Sequence, residues 1–260
     1  TEPDHQLHHL HHLDLTICRL RDEGASQLIL SPLGLQLTYL DLSDNHLTAD
    51  TVHALTRPLS EEPSQLTHLL LDNNPIGTEG ILLLSQSARL SNLTHLHLRN
   101  VLTGHSPDTE RGSNHPTDAL HTLLTSPHLS HLTHLDLSLN PIGDRGAHQI
   151  AEAAHHLTHL KSLDLSRTGL TSDGIQALAQ AQGLSGLTEL RLDINRQIGR
   201  WGHRALITSP HLSESLKVAH LTRLHVQPLA QLAEDLQLNH RGANDKGRLL
   251  SLLLSWLGDR

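Results

Sequence analysis

The sequence predicts an α/β solenoid, in which a parallel β-sheet lines one side and α-helices line the other. Three observations support this prediction. The pattern L-x-x-L-x-L recurs seven times, with an eighth copy that ends in Val226, and its first leucines lie 27 to 39 residues apart. Leucine fills most apolar positions of the 260-residue chain, while Phe and Met are absent. Similar core positions that recur at a near-constant period are typical of solenoids, because each repeat packs on its neighbours.

Each occurrence of the pattern predicts a short β-strand. Within L-x-x-L-x-L, apolar positions alternate with polar ones, as a strand with one buried face requires. Eight parallel strands are therefore expected. They begin near Leu10, Leu37, Leu66, Leu93, Leu132, Leu160, Leu187 and Leu221.

A turn and a helix are expected after each strand. Three residues beyond the last leucine of the pattern stands Asn45, Asn74, Asn140 or Asn195, whose side chain can hydrogen-bond the backbone of the turn. A glycine-marked turn such as Ile142-Gly143 then leads into a segment with apolar residues at helical spacing. The repeating unit is thus strand, turn and helix.

The segment from Leu132 to Gly146, LTHLDLSLNPIGDRG, combines all of these signals. It resembles the leucine-rich-repeat family, specifically the ribonuclease-inhibitor-like class. The resemblance covers roughly residues 8–230 and implies a curved horseshoe, with the parallel sheet on the concave face and the helices on the convex face. We expect a single leucine-rich-repeat domain over residues 1–260, with about eight repeats over about 8–228 and a helical C-terminal cap over about 229–260.

Two repeats carry insertions. The excess in the fourth repeat is Thr103–Thr117, and the seventh has about six extra residues, Glu214–Ala219, before the eighth predicted strand. Insertions in solenoids map to exposed loops, often on a binding face. Surface loops also tolerate changes of length without any function, so both interpretations remain open.

The residues on either side of the second leucine of each pattern point away from the core. Neighbouring parallel strands lie about 4.8 Å apart, so these side chains form columns across the sheet. The columns are rich in histidine and aspartate and turn more basic towards the last repeats. We predict that a protein partner binds them through His12, Asp14, Tyr39, Asp41, His68, His95, His97, His134, Asp136, Asp164, Glu189, Arg191, Arg223 and His225.

Composition narrows the function further. The formal net charge of −8 gives no support for binding to nucleic acid or to an anionic membrane. No apolar stretch is long enough for a transmembrane helix. The chain has one cysteine, Cys18, which excludes an internal disulfide and favours a reducing compartment such as the cytoplasm.

Catalysis and metal binding are the sharper alternatives. His95, His97, His134 and Asp136 are expected to cluster, and imidazole and carboxylate groups suit zinc or nickel. Against a dedicated site, the chain has 25 histidines, and it lacks the compact Cys/His spacing of structural zinc sites. A broad sheet surface offers no dry pocket, and no catalytic motif is present. We therefore predict no enzymatic activity, no catalytic residue, no metal ligand and no cofactor.

The repeat class also resembles the GTPase-activating proteins of the Ran system. Their long acidic C-terminal tail has no counterpart in residues 241–260, which are mixed and apolar. A regulator of a small GTPase thus remains an alternative, as does a histidine-rich metal-binding protein. The preferred hypothesis is a non-enzymatic protein-binding scaffold or recognition module that uses the concave face.

Overall fold

The computed structural model describes residues 9–57, 64–102, 116–240, 243 and 245–259. Across these ranges, strands and helices alternate, and the strands form one seven-stranded parallel sheet in the order of the chain. The strands are β1 (His12–Asp14), β2 (Tyr39–Asp41), β3 (His68–Leu70), β4 (His95–His97), β5 (His134–Asp136), β6 (Ser162–Asp164) and β7 (Glu189–Arg191).

The register places equivalent residues of successive repeats side by side. Leu69 of β3 pairs with Leu96 of β4, which pairs with Leu135 of β5. This row of central leucines is buried from β2 to β7 and forms the sheet side of the core. The parallel solenoid and its register are confirmed.

The helices cover the other side of the sheet, and helices of successive repeats pack on one another. Packed helices lie about 8–10 Å apart whereas strands lie about 4.8 Å apart, so the sheet becomes the inner, concave side. No helix of the described residues has the length and apolar character that a membrane span needs. The repeat helices are α1 (Arg21–Ile29), α2 (Pro32–Gln36), α3 (Ala49–Thr56), α4 (Gly77–Gln86), α5 (Pro116–Leu124), α6 (Gly143–Ala153), α7 (Ser172–Gln180) and α8 (Arg200–Thr208).

The asparagine after the strand joins neighbouring repeats, as predicted. The Asn140 side chain is fully buried, and its Nδ2 donates to the carbonyl oxygens of Leu98 at 2.7 Å and Leu137 at 3.0 Å. Its Oδ1 accepts from the backbone N–H groups of Val101 at 3.0 Å and Leu102 at 2.9 Å. Because buried backbone groups need partners, this one amide satisfies the turns of two repeats. Equivalent bonds are made by Asn45, Asn74 and Asn195.

The eighth predicted strand is wrong. The segment Leu221–Val226 belongs to two helices, α9 (Glu214–Arg223) and α10 (Val226–Asp235). Leu221 and Leu224 are three residues apart, a spacing that fits one face of a helix as well as the strand pattern. The helix prevails because Ser213 caps its first turn, its Oγ accepting from the Leu216 N–H at 3.3 Å.

The C-terminal helices begin earlier than predicted, at Glu214 rather than near residue 229. Helices α9, α10 and α11 (Lys246–Gly258) pack around their own apolar cluster, centred on Leu229, Leu232 and Leu253. The insertion Glu214–Ala219 is therefore the first half of a helix rather than a loop. The other insertion, Thr103–Thr117, lies outside the described residues except for its last two residues, which begin α5.

Candidate functional site

Two columns of side chains cover the concave side of the sheet. We call these residues together the concave surface. The first column precedes the central leucine of each strand, and the second follows it. The first column is His12, Tyr39, His68, His95, His134, Ser162 and Glu189, and the second is Asp14, Asp41, Leu70, His97, Asp136, Asp164 and Arg191.

The structure thus places twelve of the fourteen predicted binding residues on adjacent strands. Most are half-buried, because each is flanked by the side chain of the next repeat. Arg223 and His225 are the two exceptions, since they belong to the helical C-terminal part. Leu70 and Ser162 complete the two columns.

Five rings of the first column form a continuous stack. His12 and Tyr39 stack with their centroids 3.8 Å apart, His68 and His95 at 3.9 Å, and His95 and His134 at 4.0 Å. Tyr39 and His68 are tilted, with centroids 5.6 Å apart. The strand spacing of about 4.8 Å brings neighbouring side chains close together. The stacked rings approach each other more closely than the strands do, because their planes are nearly parallel.

Threonine hydroxyls hold these histidine rings in place. Thr94 Oγ1 lies 3.1 Å from the Thr67 carbonyl oxygen and 2.9 Å from His95 Nδ1. The hydrogen bond between the hydroxyl and Nδ1 fixes the orientation of the ring. The same arrangement holds for His68 with Thr67 and for His134 with Thr133.

The central histidines are neutral at pH 7. Burial, followed by the nearby histidines, lowers the pKa of His95 from its usual 6.5 to about 4. The same causes lower the pKa of His68. Neither of these rings therefore adds a positive charge to the concave surface at pH 7.

The second column supplies carboxylates in fixed orientations. In Asp136, Oδ1 accepts from the backbone N–H of Ser138 at 2.7 Å, which leaves Oδ2 free to accept from a ligand. This bond recurs two residues after each aspartate of the column, so their orientation is built into the repeat. The other pairs are Asp14 with Thr16, Asp41 with Ser43, and Asp164 with Ser166.

His97 lies among these carboxylates and meets one residue that sequence reasoning missed. Its Nδ1 lies 3.8 Å from Asp72 Oδ2. The facing carboxylate of Asp72, together with the charges of Asp136 and Asp41, raises the pKa of His97 in spite of burial. Asp72 stands two residues beyond Leu70, so carrying the strand alternation one step further would have found it.

The C-terminal end of the concave surface is mixed in charge. Glu189 Oε1 accepts from Arg191 Nε at 2.7 Å and lies 3.7 Å from Arg223 Nη2. The hydrogen bond from Arg191 lowers the pKa of Glu189. Arg223 and His225 line a cavity of about 560 Å³ between the last repeat and α9 and α10. Both predicted residues thus adjoin the surface without forming part of its sheet.

Comparison with known families identifies the repeats. A leucine-rich-repeat model matches residues 6–28, 128–151 and 156–179, and a second leucine-rich-repeat model matches residues 36–57. Among curated proteins, human "NACHT, LRR and PYD domains-containing protein 5" is 35% identical over 116 residues. That match covers 45% of this chain and 9% of the human protein.

Three solved structures show partial likeness. The tropomodulin C-terminal domain of Caenorhabditis elegans is 18% identical with a TM-score of 0.36, covering 49% of this chain and 78% of that one. The TLR13–ssRNA13 complex is 21% identical with a TM-score of 0.37, covering 61% and 22%. Rad7 and Elc1 of yeast give 22% identity and a TM-score of 0.39, covering 75% and 52%.

The family matches and the architecture agree with each other. The matched stretches contain β1, β2, β5 and β6, and each of these strands has the register and the helix that the repeat requires. The strands and helices alternate in the same way through the intervening repeats. The chain therefore carries leucine-rich repeats and folds as a leucine-rich-repeat α/β solenoid.

Proposed function

We propose that this chain is a non-enzymatic recognition module whose concave surface binds a protein segment rich in hydrogen-bond donors and positive charge. One observation carries the proposal. From β1 to β6 the second column presents the carboxylates of Asp14, Asp41, Asp136 and Asp164, and neither column contains an arginine or a lysine. A partner that supplies arginine, lysine or amide donors complements such a surface.

The form of the surface supports a macromolecular partner. The side chains lie on a rigid sheet, with ring stacking and hydrogen bonds holding their orientation, so little conformational entropy is lost on binding. Tyr39 and the stacked histidines add aromatic area, which is enriched in protein interfaces. The ribonuclease-inhibitor-like class and a cytoplasmic location belong to the same proposal, the latter because the single cysteine, Cys18, is exposed and unpaired.

The test is a selection from a displayed random peptide library on the purified, untagged protein. We expect peptides enriched in arginine and lysine, with binding that weakens as salt is raised. Asp136→Asn combined with Asp164→Asn should weaken binding of the selected peptides by about 5- to 30-fold, since each partly exposed charge contact is worth about 0.5–1 kcal/mol.

The matched control is Glu152→Gln, which neutralises one exposed carboxylate on α6, on the helix side. It should leave peptide binding unchanged. Enrichment of acidic or purely apolar peptides would overturn the proposed chemistry. Equal weakening by Glu152→Gln and by the double substitution would move the site away from the concave surface.

A further inference from the structure

Three metal-ligating side chains from three successive repeats meet on the concave surface. Asp72 follows β3, His97 lies on β4 and Asp136 lies on β5. One ligand atom of each residue lies within 4.8 Å of the ligand atoms of the other two. All three side chains are half-buried. The fold therefore brings together an imidazole nitrogen and two carboxylate oxygens that are far apart in sequence.

The two carboxylates are held by the backbone through one oxygen each. Asp72 Oδ1 accepts from the N–H of Arg99 at 2.9 Å, and Asp136 Oδ1 accepts from the N–H of Ser138 at 2.7 Å. The second oxygen of each remains available, and Asp72 Oδ2 is the one that faces His97. Hydrogen bonds of this kind, made behind the ligating atoms, orient the ligands of protein metal sites.

The surroundings are short of positive charge. Besides Asp72 and Asp136, the carboxylates of Asp41 and Asp164 also act on this cluster. The guanidinium of Arg99 is nearby, and its Nη1 donates to Ser138 Oγ at 3.1 Å. The charge of Arg191 on β7 also acts on Asp136 and Asp164. Four carboxylates thus outnumber the cationic groups, a balance that favours an added cation.

The two other predicted ligands, His95 and His134, do not join this cluster. Their rings stack 4.0 Å apart, and their Nδ1 atoms are committed to threonine hydroxyls. The remaining lone pairs of stacked rings run parallel, so they cannot converge on one ion at about 2.0–2.1 Å. Of the four residues that the sequence was expected to bring together, only His97 and Asp136 belong to the group of possible metal ligands. Asp72 is its third member.

We propose that Asp72, His97 and Asp136 bind one divalent transition-metal ion of the zinc class, each through one atom. Zinc accepts nitrogen and oxygen ligands at about 2.0–2.2 Å, and small rotations of the three side chains would bring ligand atoms that lie within 4.8 Å of one another to that range. Three protein ligands leave a coordination position open for water or for a ligand from a partner. The site is a property of the chain alone and does not depend on the proposed function.

The experiment uses untagged protein freed of metal with a chelator. Co²⁺ is titrated as a spectroscopic probe and Zn²⁺ by calorimetry, both at pH 7.5. We expect one tight site per chain, a cobalt absorption spectrum typical of mixed nitrogen and oxygen ligands, and a rise in melting temperature with bound Zn²⁺.

Variants separate this site from weak binding at the other histidines. His97→Gln and Asp72→Asn should each weaken Zn²⁺ binding at least about tenfold, because each removes a direct ligand. The control His68→Gln removes an imidazole from the first column and should leave the site intact. Circular dichroism of each variant verifies the fold, and Asp136→Asn serves if one of the first two fails to fold.

Two results would overturn the proposal. One is a wild-type chain that binds no stoichiometric Co²⁺ or Zn²⁺. The other is a tight site that survives in His97→Gln and Asp72→Asn, or one that His68→Gln removes, since the ion would then be held by other residues.

Discussion

Replacement of Asn140 by alanine tests whether the buried asparagine ladder holds the repeats together. The substitution removes the acceptor of two buried N–H groups, those of Val101 and Leu102, and the donor to the carbonyls of Leu98 and Leu137. An unsatisfied buried backbone group costs about 1–3 kcal/mol. With two N–H groups orphaned and partial relaxation of the carbonyls, the free energy of unfolding should fall by about 3–5 kcal/mol.

Urea denaturation followed by circular dichroism measures this loss. The matched control is Asn92→Ala, because the exposed Asn92 side chain makes a single bond, from Nδ2 to the Ser64 carbonyl at 2.9 Å. The control should cost no more than about 1 kcal/mol. Since repeat arrays need not unfold in one step, hydrogen exchange of the Val101 and Leu102 amides gives a second, local readout.

The refuting result is specific. If Asn140→Ala lowers the free energy of unfolding by less than about 1 kcal/mol, or by no more than Asn92→Ala does, the hydrogen bonds of the Asn140 side chain do not stabilise the native chain. A large loss of stability without faster exchange at Val101 and Leu102 would also contradict the reasoning, because the damage would then lie elsewhere.

Three further predictions concern the core, the helix packing and the pH. Leu135→Ala leaves a cavity at one of the buried central leucines, so the free energy of unfolding measured in urea should fall by about 2–5 kcal/mol. A loss below about 1 kcal/mol would mean that the strand register is wrong. Gly183→Ala should cost about 1–3 kcal/mol, because its Cβ would meet the Ala154 backbone, whereas Gly258→Ala, where a Cβ meets nothing, should be neutral in the same assay. Because the pKa of His95 is lowered, the unfolded chain binds more protons than the folded chain below pH 6.5. The free energy of unfolding should therefore fall by about 1–2 kcal/mol for this partly exposed ring as the pH drops from about 6.5 to 4. A melting temperature that holds steady across that interval would contradict this prediction.

The opposite shift of His97 acts at higher pH. Its raised pKa gives a contribution to stability that is gained as the pH falls through the folded value and is complete below pH 6.5. His97→Gln should therefore lose this gain in melting temperature above pH 6.5 and keep the decline between about pH 6.5 and 4. A variant that gains as much as the wild-type chain when the pH is lowered to about 6.5 would show that the ring does not pair with Asp72.

The sequence predicts the repeats well because each repeat folds into the same strand, turn and helix. Leucine rows such as Leu69, Leu96 and Leu135 could be aligned by spacing alone, and the register follows from it. Asn140 could be assigned a turn-bonding role because an amide has both a donor and an acceptor. The columns of the concave surface follow from the same alternation.

The errors arise where one spacing fits two structures or where the pattern ends. Leu221 and Leu224 satisfy both the strand and the helix spacing, and only the cap at Ser213 separates the two possibilities. Asp72 lies one step beyond the recurring pattern, so the spacing of that pattern does not predict its approach to His97.

The asparagine ladder is interrupted at two places. Each asparagine Oδ1 serves the preceding repeat, but Val101 has no polar side-chain atom, and the Thr168 hydroxyl donates to Leu165 within its own repeat. Sheet bonds and other side chains bridge both places, since Asp72 Oδ1 accepts from the Arg99 N–H and Asp144 Oδ1 accepts from the Thr171 N–H. We expect the amides at these two seams, after Asn74 and Asn140, to exchange faster than those that the ladder joins directly.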